Sequence, residues 1–469
     1  MNAVVINPPY KVPFIREGRC QSPQNYRKNS VPQMTLALVA GVLRTAGYSV
    51  TVFDAIALDL SAESIAASLA GSPPDLLLVN TTTPTIDSDL AFVETLKRHF
   101  PGARTVVFGV HVTALDREVM ESAPFLDAVI RGEPEWAALD LAAAAAAGNW
   151  DIVIPGCTMR TEAGIVRHPD RVPRADLDAL GFPAWDLLPL DQYVHPVYRK
   201  RYLPVNISRG CRHRCIFCVG PLYYGHTMRR RSTASLVAEI RKDVELFGIR
   251  HFWFYAEDFT EDPDFVRAIC RALIDSRLKI IWWSNTRVDT NDPGLFSLMR
   301  KAGCRMLSIG GESGSPDMLK AMRKGTIAGQ LDRTIKMMRK AGIDSVVYYI
   351  FGLPGETERS IGETVAAAKR AGPDYVEFYP AVPYPGTAFF EQVRSENRIL
   401  SGDWSLYHYG EFVVDVPGFP PDIMRARIRK AYRAFYLRPR YALTMARKLR
   451  HPGSFLNLVR FGCGYLKSI

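Results

Sequence analysis

The stretch SRGCRHRCIFC, Ser208 to Cys218, sets three thiols in a Cys-x3-Cys-x2-Cys spacing directly behind an apolar, strand-like run at 203–207. Three thiolates on one short loop suit a cubane iron–sulfur cluster, because they ligate three irons and leave the fourth without a protein ligand. Zinc asks for four tetrahedral ligands, and only His213 stands near in sequence as a fourth. A redox disulfide asks for a bare Cys-x-x-Cys. Cys211, Cys215 and Cys218 are therefore the candidate metal ligands. The other five cysteines, at 20, 157, 270, 304 and 463, are scattered and read as small buried hydrophobes. Eight cysteines in 469 residues do not make a disulfide scaffold.

Downstream of the loop, strand-like runs at 251–255, 279–284, 305–309, 345–351 and 374–378 alternate with helical patterns at 232–247, 263–276, 292–302, 315–341 and 357–371. Six βα units predict a partial (βα)6 barrel over 199–400, with its chemistry at the carboxyl rim of the strands. Upstream, runs at 4–7, 49–53, 76–80, 105–108 and 128–130 alternate with helical patterns at 34–46, 61–70, 87–99, 115–122 and 134–147. That spacing predicts an α/β domain over 1–150, a doubly wound, Rossmann-like parallel sheet that binds its ligand beyond the carboxyl ends of the strands. Residues 151–198, rich in proline, read as a linker, and 401–469 as a helical, basic carboxyl-terminal region.

Motifs fall at the expected rim. Glu257 and Asp258 follow the second barrel strand, Ser284-Asn285-Thr286-Arg287 the third, Ser308-Ile-Gly-Gly-Glu-Ser313 the fourth and Phe351-Gly-Leu-Pro-Gly-Glu356 the fifth. Together with the cysteine loop they resemble the radical S-adenosylmethionine superfamily over about 200–400. The resemblance implies a 4Fe–4S cluster on the three cysteines and S-adenosylmethionine chelated to the open iron. It implies that Phe217 packs near the adenine and that Glu257 belongs to a recurring acidic element. It further implies that Ser284, Asn285 and Arg287 meet ribose and carboxylate. Gly310 and Gly311 would admit the methionine amino group, Glu312 would accept from it or from the ribose, and Gly352 would border the adenine. Catalytic residues beyond these stay unassigned.

The amino-terminal domain resembles the cobalamin-binding domain of the class B members of that superfamily, through NPPY at 7–10, TTTPTIDSD at 81–89, GVHVT at 109–113 and RGEPE at 131–135. By that resemblance Thr82, Thr83, Thr85, Gly109, His111, Gly132 and Glu133 lie at cobalamin, the threonines on corrin amides or the nucleotide tail. The Asp-x-His-x-x-Gly signature of a histidine cobalt ligand is absent, and His111 reads as a loop residue near the cofactor. G-x-G-x-x-G is absent too, which speaks against a nicotinamide cofactor. A domain that has lost its cofactor and only packs on the barrel is the plainer alternative.

The net charge of +11 is local: residues 421–469 hold twelve Lys or Arg against Asp422 alone, the whole excess. The arginines interleave with Tyr432, Phe435, Tyr436 and Tyr441. A helical cap with solvated arginines is the plain reading, and peripheral contact with an anionic membrane surface the functional one. No apolar run is long enough to span a bilayer and no signal-like segment opens the chain, so cytoplasm is the expected location.

These readings converge on a radical enzyme acting on an unactivated carbon, with C-methyl transfer ahead of oxidative cyclisation of a lipid-like or tetrapyrrole-like substrate. A radical tRNA-modifying enzyme ranks below both, since the three further clustered cysteines expected of it are missing. The expected partners are a small, lipid-like or anionic substrate and an electron donor such as flavodoxin or ferredoxin. Nucleic acid is not expected.

Overall fold

In the computed structural model the described residues are 1–17, 21–23, 31–196, 198–290, 292–327, 329–439 and 441–442. The first sheet has seven strands: β1 (Asn2–Asn7), β2 (Ser49–Asp54), β3 (Leu76–Thr81), β4 (Arg104–Gly109), β5 (Ala128–Ile130), β6 (Cys157–Thr161) and β7 (Gly164–Arg167). Their spatial order is β2-β1-β3-β4-β5-β6-β7. β1 to β5 are parallel, and their near-continuous apolar burial reflects helices on both faces. β6 and β7 add an antiparallel hairpin to the edge. The stretch expected as a linker thus begins inside the first sheet: Cys157 is a fully buried strand residue, paired with Ile130.

The second sheet runs in chain order, all parallel: β8 (Leu203–Asn206), β9 (His251–Tyr255), β10 (Ile281–Thr286), β11 (Cys304–Glu312), β12 (Asp344–Phe351) and β13 (Tyr375–Pro380). Parallel neighbours joined by helices form the open barrel that the periodicity predicts. One helix differs. The pattern at 315–341 is two helices, Pro316–Ala321 and Gln330–Ala341, because Arg323 and Gly325 take positive φ between them. A single apolar core passes through both units, including Phe108 and Ile130 of the first sheet, Trp185 of the connector and Val205 and Phe254 of the barrel.

The units are also clasped by charge. Arg209, at the foot of the cysteine loop, donates to Glu133 (2.7 Å) and to both oxygens of Glu135 (3.1 and 2.5 Å). Arg229 donates to Glu133 from the strand paired with Arg209. All four side chains are buried or nearly so. Burial works against the Glu133 carboxylate, but Arg209 and Arg229 outweigh it and hold its pKa below the ordinary value.

β13 is an edge strand, and an uncovered edge exposes unpaired backbone groups. The helix Pro421–Tyr436 lies along it and supplies tyrosine hydroxyls in place of a seventh strand. Tyr432 Oη accepts from Phe378 N–H at 2.9 Å and lies 3.3 Å from its carbonyl, while Tyr436 Oη serves Val376 at 3.0 and 2.9 Å. Tyr441 donates to the Asp374 carbonyl. The aromatic residues of the basic tail, as far as it is described, are therefore turned to the barrel. Arg440 and 443–469 lie outside the described residues. No described helix is long and apolar enough to cross a membrane.

Three outcomes follow for stability. Tyr432→Phe should cost about 1–3 kcal/mol, the penalty for a buried donor left unpaired, read from the urea midpoint. Arg427→Gln, which breaks the solvent-facing pair with Glu358, should cost about 1 kcal/mol or less. Arg209→Met should cost about 3–5 kcal/mol by stranding Glu135 in the interface, and adding Glu135→Leu should restore part of it. Equal losses for the single and double variants would show that the clasp is not what couples the units.

Candidate active site between the two sheets

The cysteine loop is pinched at its base by an antiparallel ribbon, Ser208–Arg209 against Arg229–Arg230. Gly210 follows at φ 88°, and a Cβ there would lie 2.1 Å from the Thr227 carbonyl oxygen, so only glycine passes. Inside the loop, Cys211 N–H bonds the Gly225 carbonyl and Cys218 N–H the Cys215 carbonyl, each at 3.2 Å. Ile216 ties the loop to Met322 and to Phe389 through its N–H and carbonyl. The three cysteines are half-buried, and Gly220 N–H approaches Cys218 Sγ at 3.4 Å. A Cβ on Gly220 would sit 2.8 Å from Glu257 Oε2 and 3.4 Å from that sulfur, so glycine lets the acidic loop close on the thiol. No three His, Cys, Asp or Glu converge on one ion among the described residues. A cubane spreads its thiolates over separate irons and needs no such convergence.

The rim motifs occupy the carboxyl ends of β9 to β12. Register shifts between Gly310 and Glu312, and Glu312 takes φ 57°, a left-handed conformation costly for a glutamate. Lys324 Nζ meets Glu312 Oε1 at 2.7 Å in a buried pair lying over Gly310, where a Cβ would come 2.3 Å from that oxygen. Gly311 is held by Val347, 2.8 Å from its virtual Cβ. Ser284 spends its hydroxyl on the Phe254 carbonyl at 2.6 Å, and Asn285 receives Phe259 N–H on its carbonyl. Arg287 donates to the Lys324 carbonyl (2.7 Å) and to Asp289 (3.2 Å). Burial, and then Asp289, push the Asp258 carboxyl up to about 6. Glu257 is buried, with Tyr255 Oη 3.4 Å from Oε1. Gly352, at φ 93°, faces Phe412, and Phe217 is half-buried against the core.

On the amino-terminal edge, Arg16 and Asp89 form a fully buried pair that gathers the threonine loop. Arg16 donates to Thr85 Oγ1, Thr85 to Asp89, and Thr82 and Thr85 hydroxyls share a bond of 2.7 Å. Thr83 Oγ1, in contrast, is buried with no partner. Gly109, at φ 136°, passes so close to the Thr81 carbonyl oxygen that a Cβ would lie 2.0 Å away. His111 is buried edge-on against Trp404, 4.9 Å between rings, and burial lowers its pKa to about 4. Gly132 takes φ 73° opposite the Tyr223 carbonyl, and Glu133 is engaged by the clasp.

These edges face each other across an open cleft, lined on one side by Asn80, Thr81, Gly109 and Val110 and on the other by Val219, Gly220, Tyr255 and Glu257. The donor set fits the groups that the sequence implies: three thiols on one pinned loop, and an orphaned threonine hydroxyl beside a glycine-lined sheet edge. His111 is not part of this lining. Sequence reasoning missed Lys324 and Gly220. Lys324 lies in the interruption of what reads as one long helix, where the only cue is Lys-Gly. Gly220 is marked by nothing except its place two residues behind Cys218.

Comparison with known proteins agrees with this geometry. The Radical SAM superfamily model matches residues 205–368, and the B12 binding domain model residues 25–142. An uncharacterized methyltransferase of Pyrococcus horikoshii is 29% identical over 412 residues, covering 87% of this chain and 88% of its own. The anaerobic magnesium-protoporphyrin IX monomethyl ester cyclase of Rubrivivax gelatinosus is 28% identical over 413 residues, covering 87% and 74%. A solved radical S-adenosylmethionine methyltransferase, TsrM from Kitasatospora setae with cobalamin and a 4Fe–4S cluster bound, shares the fold with a TM-score of 0.69 at 18% identity, over 84% of this chain and 75% of that one. The chain therefore carries a Radical SAM domain behind a B12-binding domain, and these domains imply a 4Fe–4S cluster, S-adenosylmethionine and cobalamin as cofactors.

Proposed function

We propose that this enzyme transfers a methyl group to an unactivated carbon of a small molecule. The observation that carries the reading is one cleft bounded by the cobalamin-side edge and by Val219 and Gly220, directly behind Cys218, since methyl transfer to a substrate radical needs both cofactors to reach one carbon. When bound, the cluster and S-adenosylmethionine supply a 5′-deoxyadenosyl radical and cobalamin supplies the methyl group.

The chain's residues position and shield. Gly220 N–H steadies the Cys218 thiolate, and bonds to the Gly225 and Cys215 carbonyls hold the three cysteines on one closed loop. Glu312, paired with Lys324, would receive the methionine ammonium over Gly310 and Gly311. Asn285 and Arg287 take ribose and carboxylate, while Ser284, already bonded to Phe254, fixes the strand beneath them. Glu257 closes on the cluster side, and Phe217 and Gly352 flank the adenine. On the facing edge, Thr83 would give cobalamin its buried, unpartnered hydroxyl and Gly109 a close backbone. Thr82 and Thr85 shape the loop, while His111 packs on Trp404 behind the cleft and Gly132 turns beside the Tyr223 carbonyl. Glu133 acts through the clasp. An acidic one-electron carrier such as a flavodoxin or ferredoxin would meet the exposed Arg212 and Arg214.

Anaerobically purified protein should contain about four irons and cobalt close to one per chain. Replacing Cys211, Cys215 and Cys218 together by Ala should remove the iron and spare the cobalt. Iron without cobalt in the parent protein would overturn methyl transfer. With methyl-deuterated S-adenosylmethionine the product should gain a labelled methyl, whereas loss of two hydrogens with no label would establish oxidative cyclisation instead.

A further inference from the structure

The last three barrel strands carry a row of side chains that none of these roles uses. Along them alternate residues face opposite ways. Tyr349 and Phe378 lie on the helix-covered face, stacked at 5.3 Å, with Phe378 edge-on to Tyr432 of the closing helix at 5.1 Å. Ser308, Tyr348, Glu377 and Tyr379 lie on the other face, toward the lumen, where Tyr348, Glu377 and Tyr379 stay partly exposed. Register aligns Gly310 with Tyr348 and Tyr348 with Glu377, so this carboxyl shares a row with the Gly-Gly-Glu element.

Glu377 stands in aromatic surroundings. Tyr379 donates its hydroxyl to Oε2, and no Lys or Arg pairs with Glu377 among the described residues. Tyr348 and Tyr379 rings lie 5.7 Å apart, and Tyr409 stacks on Tyr379 at 4.6 Å. Tyr409 belongs to the segment that also presses Trp404 onto His111, so the aromatic wall is completed from the cobalamin side. Burial raises the Glu377 pKa above its ordinary value, and the Tyr379 hydroxyl only partly offsets it. A carboxyl held this way, without a cation, is costly unless a ligand supplies a donor. Tyrosine faces attract a cation as well, and both features repel an anionic group.

We propose that the barrel lumen selects a substrate with a flat, apolar body that presents a hydrogen-bond-donating nitrogen or hydroxyl to Glu377 and lies against Tyr348, Tyr379 and Tyr409. This rests on the lumen being the substrate chamber of the reaction proposed above, and it narrows the expected lipid-like or anionic substrate to one without an anionic head at this pole.

The test is equilibrium dialysis of three indole probes against anaerobic, cofactor-loaded, full-length protein: tryptamine with a cationic head, indole-3-ethanol with a neutral donor and indole-3-acetate with an anion. One or both donor probes should bind about tenfold or more tightly than the acetate, a gap of about 1.4 kcal/mol. Glu377→Ala should erase the gap with iron and cobalt contents unchanged. Glu377→Gln, isosteric and still an acceptor, separates the sources: it should keep indole-3-ethanol binding and lose tryptamine binding if the native group is a cation, and keep both if it is a neutral donor. Equal binding of the acetate, no binding of any probe, or a gap that survives Glu377→Ala each overturns the proposal. Such a failure with iron and cobalt intact leaves methyl transfer standing, whereas missing cobalt with the gap present removes methyl transfer alone.

Discussion

The arrangement depends on Arg209. It is the residue before the Gly210–Cys211 turn, and its guanidinium is sunk between Glu133 and Glu135 of the amino-terminal domain. The loop that holds the cluster is thereby fixed, at its root, to the loop after β5 that borders the cobalamin edge. A buried ion pair of this sort adds little net stability over an apolar replacement of equal shape, because desolvation consumes most of the Coulomb gain. It does impose geometry, since a displaced guanidinium leaves two carboxylates stranded. The shared apolar core presses the units together, and the clasp fixes their register.

That register explains where strain is tolerated. Glu312 sits in a left-handed conformation after a bulge, beneath Lys324 from a loop that interrupts a helix. Neither feature is favourable alone. Each is held by the other, and both by the packing of Met322 against the cysteine loop through Ile216. The rim is therefore a network in which a cluster-bearing loop, a glutamate and a lysine set one another's positions. Pre-organisation of this kind suits a site that must hold a reactive species near one carbon and away from water.

Much of this was legible in the sequence. Alternation of apolar runs gave both sheets, because strands buried on two faces read as continuous hydrophobic segments, and the rim motifs fell where parallel strands end. The hairpin Cys157–Arg167 is legible only as short strand-like pieces of a connector, not as part of the first sheet, because its outer strand is half-exposed and carries little apolar pattern. The break after Ala321 was hidden because the pattern stays amphipathic on both sides while a positive φ at Arg323 announces nothing. Contacts distant in sequence were illegible altogether. Glu133 resembled a cofactor residue and is occupied by arginines 76 and 96 residues away. Thr82 and Thr85 resembled free hydroxyls and are satisfied by each other, Arg16 and Asp89.

The carboxyl-terminal region shows how composition misleads when topology is unknown. Arginine and tyrosine in one segment suggest a charged surface or a membrane, yet an open barrel has a problem that tyrosine solves. The edge of β13 needs donors and acceptors, a helix cannot offer its backbone to a strand, and a phenol can do both from a helix face. Tyr432 and Tyr436, one helical turn apart, meet Phe378 and Val376, two strand residues apart on the same side. The rise of a helical turn and of two strand residues is close to equal, which is why the spacing works. The segment leading into that helix touches both units on its way, carrying Trp404 to His111 and Tyr409 to Tyr379. Closing the edge and bridging the two units are thus done by one continuous piece of chain.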